Sequence, residues 1–354
     1  MIVASSEKKK NFRLPFFRKA SASAKRKGKS VRSAPALSAA FGRGATAMLC
    51  LGCMAYLVFR PDLALPAAKK GLALWAGSVL PALLPFFFLT ALLSSTGVTE
   101  RWAKRAELPM RLIFRQSGIC FTVFLTSALS GYPVGAKLIS ELRKKKILGR
   151  EDATRAACLC STSGPLFIVG SIGTALFGNP AAGRAIYVAH LVSAVLCGLI
   201  FRFYGKTETG ESRPALTEKS ANVLYDAAYN SVISVLLVGS FICLFYILAD
   251  GLSVLGTLRP AERTFSLILR DEASAKAFVC GLIECTSGCA ALAALPRTPL
   301  TVSLAAACVS FGGLSVVAQS LLFLGKDCCD RKIFLLSKAV QTVLSFFLCL
   351  LFFR

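Results

Sequence analysis

Residues 116–142 form an apolar stretch that cannot be an ordinary membrane helix. Within it the run TSALSGYPVGAKLISEL carries Ser130, Gly131, Tyr132, Pro133, Gly135 and the ionisable Lys137. Pro133 removes a backbone donor and Gly131 loosens the turn before it. In lipid such a break survives only where it is buried in protein or lines a wet cavity. Basic residues flank the stretch on both sides: Arg101, Lys104, Arg105, Arg111 and Arg115 before it, and Arg143, Lys144, Lys145, Lys146, Arg150 and Arg155 after it. Short loops rich in Lys and Arg stay in the cytoplasm, so a single crossing would put one cluster on the wrong side. A segment that dips in, turns at SGYPVG and returns keeps both clusters inside. Each arm is then about a dozen residues, enough for half a bilayer. The pattern predicts a re-entrant hairpin entered from the cytoplasm.

The rest of the chain has the composition to surround such a hairpin with lipid. It is 55% hydrophobic, its mean hydropathy is +0.63, and its apolar residues come in blocks of about 20, the length of a bilayer crossing. This predicts an all-α polytopic membrane protein and excludes a pair of soluble domains. The net charge of +24 is concentrated in short loops and in the stretch from Lys8 to Arg32, which is topology charge and a surface for membrane lipid, not a nucleic-acid motif. Residues 1–41 read as a disordered basic cytoplasmic tail. No cleavage site precedes Arg60, so residues 42–59 read as a retained first span, with an outer loop to residue 70. The fourteen cysteines are scattered. Cys50 and Cys53 have CxxC spacing inside a span, and Cys158, Cys160, Cys328 and Cys329 lack His or carboxylate neighbours at metal-site spacing. Neither a metal nor a cofactor is expected.

The later blocks are also interrupted. Residues 71–98 contain Pro81 and Pro85 and should kink. Residues 153–177 break at Ser161, Thr162, Ser163, Gly164 and Pro165; residues 185–203 cross back and hold the single histidine, His190. A polar linker, 205–220, follows. The second half opens with an amphipathic lead-in, 221–229, and a span to about residue 255. Residues 258–272 balance Arg259, Arg263 and Arg270 against Glu262, Asp271 and Glu272, and zero net charge suits an outer loop. Residues 273–295 break at Glu284, Cys285, Thr286, Ser287 and Gly288, and residues 301–324 at Gly312 and Gly313. Residues 333–353 form the last span. The halves align: FFFLTALLSSTG at 86–97 with SFICLFYILADG at 240–251, the break at Gly135 with that at Gly288, SGPLFIVGSIGTALF with FGGLSVVAQSLLF, and His190-Leu191-Val192 with Lys338-Ala339-Val340. Units 71–204 and 221–354 each contain three crossings and one hairpin. An odd number of crossings turns the second copy upside down. Inverted repeats with discontinuous helices are the best sequence pointer to a transporter's substrate site.

The substrate-binding candidates are therefore the breaks themselves: Ser130, Gly131, Tyr132, Pro133, Gly135 and Lys137; Ser161, Thr162, Ser163 and Gly164; Glu284, Thr286, Ser287 and Gly288; Gly312, Gly313 and Gln319. Half-helix ends present backbone N–H groups and positive dipole ends, which suits an anion. Glu284, His190 and Lys338 are the coupling candidates. Blander readings stand beside these. Small residues let helices approach, Lys137 snorkels to the membrane edge with Arg143, and Glu284 makes a structural ion pair with Lys137 or Lys338. His190 lies within about two turns of its span's end and meets interfacial water there. Gln319, aligned with Ser171, bonds substrate or a neighbouring helix. Asp250 marks a helix end. There is no P-loop, HExxH, acid pair or Ser-His-Asp pattern, so no enzyme is expected.

In SGYPVGAKLISEL, STSGPLFIVGSIGTALFGNP and LIECTSG, residues 72–353 resemble the YlbJ/SpoVV sporulation integral membrane proteins, which carry nucleoside-recognition Gate domains. The resemblance implies a transporter or facilitator of a small organic anion, dipicolinate, in a membrane surrounding the forespore. Gate domains also occur in nucleoside and ferrous-iron transporters, which keeps nucleoside or ion transport as an alternative. A non-transporting scaffold is the other; its partners would be other sporulation membrane proteins or further copies of this chain.

Overall fold

The computed structural model describes residues 47–48, 50–205 and 222–353. The tail 1–41 and the linker, beyond its first residue, lie outside the described residues. Those from residue 52 onward form one compact unit, which is helical, with no strand among the described residues. Five helices are long and apolar enough to cross a bilayer, or six if one bent pair counts as a span. The chain is an all-α polytopic membrane protein.

Helix α1 is short, Cys50–Phe59. Helix α2 runs unbroken over Pro61–Ser95, which corrects the outer loop expected at 60–70. Pro61 stands in its first turn, where a missing N–H costs nothing and the fixed φ favours a helix start. The disturbance expected at Pro81 and Pro85 takes the form of a π-helical turn, Trp75–Val79, which absorbs the interrupted hydrogen-bond ladder.

The basic stretch 101–115 is also helical, not a loop. It forms α3 (Val98–Arg105) and α4 (Glu107–Phe114). Arg115 reverses the chain in a left-handed conformation, φ 54°, and α5 (Ile119–Ser130) leaves at 85° to α4. Glu107 holds this corner by accepting from the Gly118 amide at 2.6 Å. Then come α6 (Val134–Lys144), α7 (Arg150–Leu159), α8 (Leu166–Leu176, π-helical) and α9 (Pro180–Ile200). Arg155 is not a loop charge. It is buried in α7, paired with Asp152 and donating to the Tyr204 carbonyl at 2.7 Å.

In the second half α10 is one helix, Val223–Val254; it absorbs the lead-in, and Asp250 lies inside it, accepting from Tyr56 Oη at 2.8 Å. The outer loop expected at 258–272 is mostly helix α11, Arg259–Leu269. It too ends on a left-handed arginine, Arg270, φ 54°. The remaining helices are α12 (Glu272–Ile283), α13 (Cys285–Ala293), α14 (Pro299–Phe311), α15 (Gly313–Phe323) and α16 (Arg331–Phe352).

Repeat-related helices pack on each other and run antiparallel. Gly71 of α2 abuts Tyr246 of α10, while Trp75, further along α2, donates to the Val235 carbonyl at 3.2 Å, earlier in α10. Cys197 of α9 meets Ser337 of α16, whereas Ile186 shares a core with Cys349. The two hairpins also enter from opposite ends. The base of α5–α6 shares a core containing Met110, Leu148, Cys329 and Phe334, at the end lined by Lys144–Lys146 and Arg331. The base of α12–α13 packs with Leu269, Leu295, Phe177 and Phe353. Helix α9 runs from the second cluster to the first, where Tyr204 Oη donates to Asp330 at 3.1 Å. An inverted repeat has this geometry.

Candidate functional site

The breaks meet in pairs before they meet as four. A Cβ on Gly131, φ 85°, would lie 2.8 Å from the Gly164 amide nitrogen, and one on Gly313, φ 69°, would lie 2.9 Å from that of Cys285. Only glycine permits both the positive φ and the backbone contact. Thus the first hairpin tip rests on the α7–α8 break, and the second on the α14–α15 break. All four border one cavity of about 50 Å³, walled by Gly131, Tyr132, Ser163, Glu284, Cys285, Thr286, Gly312, Ser315 and Gln319 with apolar residues of α2, α8 and α10. That is room for a few waters.

His190 is at the centre, not at an interface. It is fully buried, which corrects the reading that it meets interfacial water. Its Nε2 accepts from the Ser163 amide at 2.8 Å, so Nε2 carries no proton. The proton is on Nδ1, which donates to Ser310 Oγ at 2.8 Å. A neutral imidazole with this tautomer ties the break of one repeat to α14 of the other.

Lys338, the repeat counterpart of His190, is 1% exposed. Its Nζ donates to Tyr132 Oη at 2.8 Å and to Gln341 Oε1 at 3.1 Å. It also sits over the Tyr132 ring, 4.8 Å from the centroid. Tyr132 Oη in turn donates to the Ser161 carbonyl at 3.1 Å.

Glu284 makes neither expected ion pair. It caps its own helix: Oε1 accepts from the Thr286 amide at 3.1 Å and Oε2 from the Ser287 amide at 2.6 Å. The α13 N-terminus is thereby satisfied by a carboxylate from the chain itself. The Ser163 amide is likewise taken by His190. These three amides, expected to face an anion, are already occupied. Donors remain elsewhere: Gln319 Nε2 and Ser315 Oγ border the cavity, are buried, and have no hydrogen-bond partner among the described residues.

The other candidates divide cleanly. Thr162 donates to Ser127 Oγ at 3.0 Å and Ser130 to Thr90 Oγ1 at 2.9 Å, so both stitch the first hairpin to its neighbours. Ser287 Oγ donates to the Glu284 carbonyl at 2.8 Å. Gly135 and Gly288 are close-packing positions. Pro133, Gly135 and Ser161 border a second chamber of about 10 Å³, which Tyr132 also lines. Lys137, half-buried on α6, borders neither cavity, and none of the ion pairs among the described residues joins it to Glu284. Ser315, Ser310 and Gln341 were not among the sequence candidates. Ser310 is the repeat partner of Thr162, and Gln341 lies one turn beyond Lys338; the alignment already held both signals.

The sporulation integral membrane protein YlbJ of Bacillus subtilis (strain 168) is 34% identical to this chain over 221 residues, which is 56% of this chain and 54% of that protein. Over this stretch the chain is related to YlbJ. It spans about half the length of that curated relative. The YlbJ resemblance drawn from the motifs therefore holds. No family model matches the sequence, and no solved structure matches it.

Proposed function

We propose that this chain is a membrane transporter or facilitator of a small organic anion, dipicolinate, acting in a forespore-surrounding membrane during endospore formation. The convergence of four helix breaks on one cavity with unpartnered buried donors supports transport. Gln319 Nε2 and Ser315 Oγ have no acceptor among the described residues, which leaves both free to bond water or a solute in the cavity. A solute rich in carbonyl or carboxylate oxygen supplies what they lack. The sporulation role is drawn from the relative's name. Loading a solute between the hairpin tips fits the rocking of one repeat against another. Glu284 puts a carboxylate on the cavity wall, which makes it the candidate for a proton or cation travelling with the anion.

The test is uptake of labelled dipicolinate and labelled uridine by proteoliposomes containing the full chain. Saturable dipicolinate uptake is expected, falling about tenfold in Gln319→Leu. Uptake of uridine alone would move the assignment to nucleosides, and uptake of neither would leave the scaffold. Gly135→Leu is unsuited to separating carrier from scaffold. A Cβ there would lie 2.4 Å from the Cys160 carbonyl oxygen, so the hairpin would be disrupted in either case.

A further inference from the structure

Lys338 is a buried cation with no carboxylate in ion-pair contact: none of the ion pairs among the described residues includes it. A buried ammonium is retained only where something compensates its charge. Here the compensation is a phenol oxygen, an amide oxygen and an aromatic face. The ammonium can only donate, which fixes the Gln341 amide with its oxygen toward Lys338. Gln341 Nε2 is then a donor too; the residue is 1% exposed, and this nitrogen has no acceptor among the described residues. Two donors thus sit side by side in the protein interior, one charged and held by neutral acceptors, the other held by none.

Tyr132 covers Lys338. It borders both the central cavity and the smaller chamber. We propose that Lys338 and Gln341 are the carboxylate-recognition site of the carrier, and that Tyr132 Oη occupies the place of a substrate oxygen when no substrate is present. Displacing Tyr132 opens Lys338 to the central cavity. One carboxylate oxygen then replaces the phenol at Nζ, and the other takes the free Gln341 amide, giving a charge-assisted pair in place of a neutral one. The class recognised is a small carboxylate. This rests on the transport reading above.

Kinetics of dipicolinate uptake by full-chain proteoliposomes decide it. Lys338→Met should raise KM at least about tenfold, and Lys338→Arg should stay within a few-fold of the parent. Tyr132→Phe removes the competing oxygen and should lower KM several-fold, a direction that loss of packing does not produce. Unchanged KM in Lys338→Met, or weaker uptake in Tyr132→Phe, overturns the proposal; should Lys338→Met fail to fold, Tyr132→Phe decides alone. If the parent carries uridine and not dipicolinate, the carboxylate site falls and transport stands. If it carries neither, the transport reading itself has failed.

Discussion

The two hairpins share a backbone plan and spend their polarity differently. In α5–α6 the tip is uncharged, and its hydroxyls face inward to the scaffold: Ser127 Oγ donates to the Cys160 carbonyl at 2.5 Å, with Thr162 and Ser130 bonded beside it. In α12–α13 the tip is Glu284, whose carboxylate caps the helix it begins. The arms differ as well. The second hairpin closes glycine on glycine, since a Cβ on Gly288 would lie 2.1 Å from the Gly281 Cα. The first half has used its side chains to lock a shape. The second keeps an ionisable group at the cavity and lets bare backbone do the packing, which is how helices approach closely in lipid.

That contrast is broken most directly at Gly288. Gly288→Ala forces backbone away from backbone, and overpacking of this kind costs about 1–3 kcal/mol or more. The expected result is the largest loss of thermal stability among these variants, measured in detergent. Gly97→Ala, where nothing lies within 4 Å of the added Cβ but φ is 72°, controls for backbone strain alone. Equal losses at both positions would show that hairpin closure does not depend on glycine contact.

The next contrast is His190 against Lys338. Each bonds to both repeats, but His190 does so through an amide and a hydroxyl at its two ring nitrogens, while Lys338 brings Tyr132 and Gln341 to one nitrogen. His190→Ala strands the Ser163 amide and the Ser310 hydroxyl in the interior, about 2–3 kcal/mol. His190→Gln, with an oxygen to accept and an amide to donate, should recover part of that in the same unfolding assay. No recovery would mean that the ring's packing, not its hydrogen bonds, holds the repeats together.

What the sequence revealed follows from which physics is local. The breaks were legible because Gly131, Pro133, Gly164, Pro165 and Gly312 alter the backbone where they stand; in the second hairpin the break falls at Glu284, and Gly288, inside α13, marks close packing instead. The repeat was legible because it preserves their order, and it flagged Lys338 through His190. The helices α3, α4 and α11 were hidden because their charges read as loop; the charge rule reports side of membrane, not conformation. Lys137 was a natural first choice, one turn from the tip, yet nearness in sequence does not aim a side chain. The bond from Lys338 to Tyr132 joins residues 206 apart, and no local pattern announces it.

The smallest expected effect concerns the end where the repeats are clasped outside the membrane core. Asp330 accepts from the Lys332 amide at 2.9 Å and from Tyr204 Oη at 3.1 Å, so it caps α16 and ties it to the end of the first repeat. The amide bond at the helix start is the main reason its carboxyl is held below the usual range, with the Tyr204 bond adding to it. A carboxyl depressed in the folded state contributes stability above its unfolded value, about 3.9, and loses it as pH falls through the folded one. Asp330→Ala should therefore cost about 1 kcal/mol at pH 7, seen as a small drop in unfolding temperature. The gap between variant and parent should narrow below about pH 4, because the parent loses its charged cap there and the variant has none to lose. A gap that stays constant down to pH 3 would show that Asp330 acts by packing alone, and that the clasp between the repeats is not electrostatic.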